Sequence, residues 1–186
     1  LNINEKSRSI YAVSLDVSKQ LLSEKNMNVS LYAQFAALIG KTIDPISGND
    51  TTLGTGFVPF GLSTKFGPVR FNFEYRIMPT GRFEFGYWDR SYEIERATFS
   101  ATNTGFLSGE NVGEIITKDK GLGKFGKQRG YFSTLNLDLG SLIEASMSYQ
   151  NLFGEQWHEN TDAFIQDRNQ SFLAGVGLLW QVLGNF

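Results

Sequence analysis

Val69-Arg70-Phe71-Asn72-Phe73-Glu74-Tyr75-Arg76-Ile77-Met78 is the most regular stretch of this chain. Val69, Phe71, Phe73, Tyr75 and Ile77 are apolar, and Arg70, Asn72, Glu74 and Arg76 between them are polar. Successive side chains of an extended strand point to opposite faces, whereas a helix would mix the two sets. The stretch is predicted to be a strand with one apolar and one polar face.

Working outward, a Pro79-Thr80-Gly81 turn leads into Arg82–Arg90, which alternates in the same way. A three-residue loop with Gly81 at positive φ predicts a hairpin. In that register Ile77 meets Phe83, Tyr75 meets Phe85 and Phe73 meets Tyr87, while Arg76 meets Glu84 on the other face. A second hairpin is predicted around Gly140-Ser141-Leu142. Tyr131, Leu135, Leu137 and Leu139 alternate before it; Ile143, Ala145, Met147 and Tyr149 alternate after it. Here Asp138 faces Glu144. Tyr11, Val13, Leu15 and Val17 share one face of a strand in Ile10–Gln20. Phe172, Ala174, Val176, Leu178, Trp180 and Val182 do so in the last segment. Asn28–Lys41 and Gly54–Phe66 are further strands, although Leu31, Phe35, Leu38 and Ile39 also fit a helix face. Short turns are expected near Lys25-Asn26 and Gly67-Pro68. Longer polar loops are expected over Thr42–Leu53, Glu95–Arg129 (with room for one more strand pair) and Phe153–Arg168. The pattern gives about eight to ten strands in one domain, residues 1–186, with no internal repeat.

Composition agrees. The 186 residues include Phe 16, Tyr 7, Trp 3, Gly 20 and only Pro 4, which suits many strands joined by tight turns. A net charge of -2 gives no basic excess for a nucleic-acid partner. Cys 0 excludes disulfides, a thiolate nucleophile and thiolate-ligated metal. Asn169–Phe186, the longest uncharged stretch, is interrupted by Asn, Gln and three glycines, so it makes a poor spanning helix. With no signal peptide and no initiator Met, the sequence reads as processed or excised.

Alternation alone leaves open whether the apolar face meets a core or lipid. Three features point to lipid. The segments approach the ~9–11 residues of a tilted transmembrane strand. The polar face carries opposed charges, Arg70, Arg76 and Arg90 against Glu74 and Glu84, which suit a narrow lumen with Asp138 and Glu144. Finally, Tyr11, Phe66, Tyr87, Trp88, Tyr131, Tyr149 and Trp180 gather toward strand ends, as rings at a membrane–water interface do.

The C-terminus adds to this. Back from Phe186 by twos stand Gly184, Val182, Trp180, Leu178 and Val176. This resembles the closing strand of bacterial outer-membrane β-barrel proteins, with Gly184 where an apolar residue is usual. The resemblance implies an antiparallel up-and-down transmembrane β-barrel in the bacterial outer membrane, embedded in outer-membrane lipid. It also implies recognition of Val176, Leu178, Trp180, Val182 and Phe186 by the barrel-insertion machinery.

Motifs for chemistry are weak. His158, the only histidine, lies in a polar stretch and reads as solvated rather than catalytic. Gly121-Leu122-Gly123-Lys124-Phe125-Gly126 spells G-x-G-x-x-G, but no helix pattern follows it, so it reads as a glycine-rich loop. Its cations (Lys118, Lys120, Lys124, Lys127 and Arg129) read as a solvated loop ahead of a surface for anionic lipid. Asp44–Asp50 and Glu159–Asp167 lack the spacing of a calcium loop. The expected function is therefore non-enzymatic and cofactor-free: a membrane scaffold whose loops meet another membrane or surface protein. The alternatives are a narrow porin-like channel selected by Arg70, Glu74 and Arg76, and a soluble ligand-binding β-barrel.

Overall fold

The computed structural model describes residues 9–87, 97–101, 113–140 and 143–178. Their strands are β1 (Tyr11–Glu24), β2 (Met27–Ile39), β3 (Lys41–Ile43), β4 (Asp50–Thr52), β5 (Thr55–Phe66) and β6 (Val69–Met78). After these come β7 (Ala97–Ala101), β8 (Gly113–Thr117), β9 (Phe125–Asp138), β10 (Ile143–His158) and β11 (Ala163–Leu178). Seven of them form one antiparallel up-and-down sheet in the order β1-β2-β5-β6-β9-β10-β11. The all-β antiparallel class is as the alternation predicts. β3–β4 and β7–β8 are small separate pairs. Among the described residues β1 and β11 are the sheet's two open edges, with no pairing between them.

The hairpin predicted around Gly140 is present in the predicted register, with Asp138 opposite Glu144 and Leu135 opposite Met147. Gly140, at φ 70, supplies the left-handed turn that glycine adopts without strain. Asn28–Lys41 resolves to strand: Leu31 and Phe35 pair with Leu62 and Phe57 on β5, and the helical alternative fails. A register shift on both sides of β5 falls around Pro59, which cannot donate to a ladder and is placed at a bulge.

The hairpin predicted after β6 is absent. β6 pairs instead with β5 (Phe73 opposite Leu62) and with β9 (Tyr75 opposite Tyr131). Both of its edges are thus occupied, and residues 79–87 leave the sheet. Gly81, Arg82 and Gly86 all have positive φ, which ends the extended path. The expected meetings of Ile77 with Phe83, Tyr75 with Phe85, Phe73 with Tyr87 and Arg76 with Glu84 are corrected accordingly. Two expected loops are also strand: Thr42–Leu53 holds the β3–β4 pair, and β10 and β11 run on through most of Phe153–Arg168. The span Glu95–Arg129 does hold a strand pair, β7 with β8.

The two ends of the sheet differ. At one end only two to four residues separate β1 from β2, β5 from β6 and β9 from β10, at 25–26, 67–68 and 139–142. At the other end lie the connections 40–54, 79–124 and 159–162. The buried core gathers at this second end. Leu38, Met78 and Leu152 from the sheet pack with Leu53, Phe83, Tyr87 and Leu122 from the long connections.

Candidate functional site

Pairing partners share a face, so the registers sort every side chain of the sheet. One face carries Val13, Leu15 and Val17; Leu31 and Phe35; Phe57 and Leu62; and Phe71, Phe73 and Tyr75. Beyond β6 it continues through Tyr131, Leu135, Met147, Tyr149, Phe172 and Val176. On β1, Lys19 and Glu24 are its charged exceptions. Nothing among the described residues packs on this face: Leu15 is 64% exposed, Phe172 63% and Val176 75%.

The opposite face is polar and cross-linked. The Tyr32 hydroxyl on β2 passes over Gly61 of β5 and donates to Glu74 Oε1 on β6 at 2.8 Å. A Cβ at Gly61 would collide with the Tyr32 ring, so glycine is required there. Arg76 Nε donates to Glu74 Oε2 at 2.6 Å, and its guanidinium lies 3.7 Å from the Phe132 ring centroid and 4.9 Å from that of Phe85. Toward the turn end, Ser63 donates to Asn72 at 2.7 Å, and Asn72 donates to Thr134 at 3.0 Å. Hydrogen bonds thus link β2 to β6, β5 to β6 and β6 to β9 across this face, which is how polar groups are satisfied away from bulk water. Gln156 Nε2 is the buried side-chain atom without a partner among the described residues.

At the long-connection end this face is capped. The Phe83 ring occupies the space above Gly56, and Arg82 N–H donates to the Phe125 carbonyl at 2.6 Å. Gly54 N–H donates to the Arg82 carbonyl at 3.0 Å. Thr55 N–H donates to Thr80 Oγ1 at 2.9 Å. A helical turn (Lys118–Gly121) and a 3-10 turn (Leu122–Lys124) bring fully buried Leu122 into the buried core and set Gly123 against Thr42 Oγ1 and the Ile43 carbonyl of β3. At the turn end the same face opens into a depression of about 950 Å³. Lys65 and Arg70 line it together with Asp138 and Glu144.

The expected charge cluster is therefore two groups. Arg70, Asp138 and Glu144 meet at the open depression, and Glu74 and Arg76 form an ion pair nearer the cap. Glu84 stands in residues 79–87, off the sheet, and Arg90 lies outside the described residues. Sequence reading missed Tyr32, Lys65, Phe85 and Phe132; the signal available was the glycine at 61, one interstrand step from Tyr32.

No known family model, curated protein or solved structure matches this chain.

Of the strand taken as an insertion signal, Val176 lies on the uncovered apolar face, and Leu178 ends β11 opposite Ile143. Trp180, Val182 and Phe186 lie outside the described residues, as does Trp88. Tyr11 and Phe66 are exposed at strand ends, but Tyr131 and Tyr149 stand mid-strand on β9 and β10, and Tyr87 is buried under the cap. His158 ends β10, its Nδ1 3.3 Å from Thr161 Oγ1. Among the described residues no three His, Asp or Glu side chains converge on a metal position. The G-x-G-x-x-G string forms the helical and 3-10 turns and then enters β9, which is not the strand–turn–helix that holds a dinucleotide. Asp44 Oδ1 accepts the backbone N–H groups of Ile46 and Ser47 and so closes its own turn. Outside the sheet's apolar rows, Lys124 Nζ stands 2.6 Å from Glu159 Oε1 and holds that carboxyl below its ordinary range.

Proposed function

We propose that the seven-stranded sheet is the wall of an outer-membrane β-barrel, its apolar face on the acyl chains and its polar face lining the interior. Its role in this reading is non-enzymatic: a membrane-embedded scaffold that presents its long connections to a partner. One observation carries the reading: the apolar face carries exposed large side chains on six of the seven strands, those of β6 being half-buried between their neighbours, while the buried core lies on the opposite face. Covering one large apolar side chain contributes about 1.5–3 kcal/mol, so more than a dozen left in water would forgo tens of kcal/mol. Soluble monomers rarely expose a patch beyond about 300–600 Å². Lipid removes that cost. Strand length supports the reading, since the shortest of the seven, β6, has 10 residues and a tilted crossing needs ~9–11.

Seven antiparallel strands leave β1 and β11 running in the same direction. Antiparallel closure needs an even number, so the proposed barrel includes at least one strand beyond the seven. The cap fills the interior at one end with Phe83, Tyr87 and Leu122, which favours a plugged scaffold over an open channel. Refolding into detergent and comparing gel mobility in SDS before and after boiling tests this. A compact band that shifts on heating is expected. A chain that folds as a monomer in water without detergent overturns the reading, and stepwise conductance in a planar bilayer overturns the plugged interior.

A further inference from the structure

Arg129 on β9, Phe153 on β10 and Arg168 on β11 stand in one pairing row. All three are exposed, and all three are on the apolar face. Lys127 and Glu155, one pleat further toward the long connections, share that face. Lys127, Arg129, Phe153, Glu155, Ile77 and Pro79 line a groove of about 280 Å³. Glu155 Oε2 accepts the backbone N–H of Lys127, and Asp167 Oδ1 accepts that of Arg168. Among the described residues neither Arg129 nor Arg168 has an ion-pair partner. Three cations against one carboxylate on this face leave an excess of two positive charges.

The position of the row is informative. From Phe153 to Ile143 the apolar face of β10 carries no charge: Phe153, Asn151, Tyr149, Met147, Ala145, Ile143. Ten residue steps at ~3.3 Å rise, tilted by ~40°, cover about 25 Å along the barrel axis, which is the height of the apolar band of such barrels. The arginines therefore stand one band height from the turn end, at headgroup level, on the side that faces lipid. Strands β9 and β11 are two interstrand spacings apart, roughly 9.6 Å. Two guanidinium side chains can converge across that gap over the Phe153 ring, and each presents a fork that matches phosphate oxygens.

We infer that Arg129, Arg168 and Lys127 form a site for the phosphate of an anionic lipid, with an acyl chain lying beside Phe153 and Ile77. The site rests on the barrel reading above, because it requires this face to meet lipid. The test uses the full chain folded in detergent micelles and offered phosphatidylglycerol or phosphatidylcholine, with retained lipid counted by native mass spectrometry. The unaltered protein is expected to prefer phosphatidylglycerol. The preference is expected to fall about fivefold in R129Q or R168Q and roughly twentyfold in the double variant, the scale of one cation at an anionic surface. The exposed-lysine control K25Q/K41Q is expected to keep it.

No preference in a protein that still shows the heat-dependent gel shift overturns the lipid site and leaves the barrel standing. An equal fall in the lysine control overturns the site in favour of diffuse charge. Displacement of the lipid by millimolar inorganic phosphate overturns the lipid as the occupant. Loss of the gel shift in the unaltered protein overturns both readings together.

Discussion

Val58, Met78 and Leu152 on the polar face of the sheet are buried, whereas Leu15, Phe172 and Val176 on its apolar face are not. The residues that alternation marks as apolar are the uncovered ones, and the core sits among the residues it marks as polar. In a soluble sandwich or barrel the apolar face would be the covered one. Here burial is decided by which end of the sheet the long connections fold over, and the apolar rows have no protein partner among the described residues. Ile165 and Leu173, exposed on the polar face of edge strand β11, are large apolar side chains on that face that the cap leaves open.

Substitutions that treat the faces separately sharpen this contrast. The largest effect is expected at the cap. Phe83→Ala removes a ring that is 3% exposed and should destabilise the folded protein by about 3–5 kcal/mol, read as a lower denaturant midpoint in detergent. Next comes Phe172→Arg, near the middle of the uncovered face. In lipid vesicles it should cost about 2–4 kcal/mol; a cost within ~0.5 kcal/mol would mean that the face meets water and would break the contrast. Tyr32→Phe, on the polar face, removes one of the two hydrogen bonds to Glu74 and should cost about 1–2 kcal/mol by the same denaturation.

The smallest effect is expected outside both faces, at Glu159→Gln, whose partner Lys124 is solvent-exposed. Because Lys124 lowers the folded-state pKa of Glu159, any contribution is present above the ordinary carboxylate range and fades as pH falls through the lowered value. Denaturation of both forms between pH 7 and pH 3 should therefore differ little at neutral pH and converge in acid.

The legible parts of the fold were local. Asp138 and Glu144 are six residues apart, so alternation on either side of Gly140 sufficed to set the β9–β10 register. β6 takes its second partner from β9, with Val69 opposite Leu137, and no local pattern announces a pairing that distant. Phe83, Phe85 and Tyr87 mimic a strand because a cap also needs rings at intervals; positive φ at Gly81, Arg82 and Gly86 turns them inward. Phe153–His158 and its partner Ala163–Arg168 read as loop because alternation fades where polar residues occupy both faces. Of the candidate site, the Asp138–Glu144 juxtaposition was legible. The Tyr32–Glu74–Arg76 chain was not, since Tyr32 and Glu74 are 42 residues apart.

The contrast between the faces is tested most directly on β10. With Cys 0 in the sequence, single cysteines can be placed at Ser146, Met147, Ser148 and Tyr149 and labelled with a fluorophore after refolding into vesicles that contain brominated lipid. Quenching at 147 and 149 with little at 146 and 148 is the expected result, because only the first pair lies on the uncovered apolar face. Equal quenching at all four positions, or stronger quenching at 146 and 148, would contradict the assignment of that face to lipid.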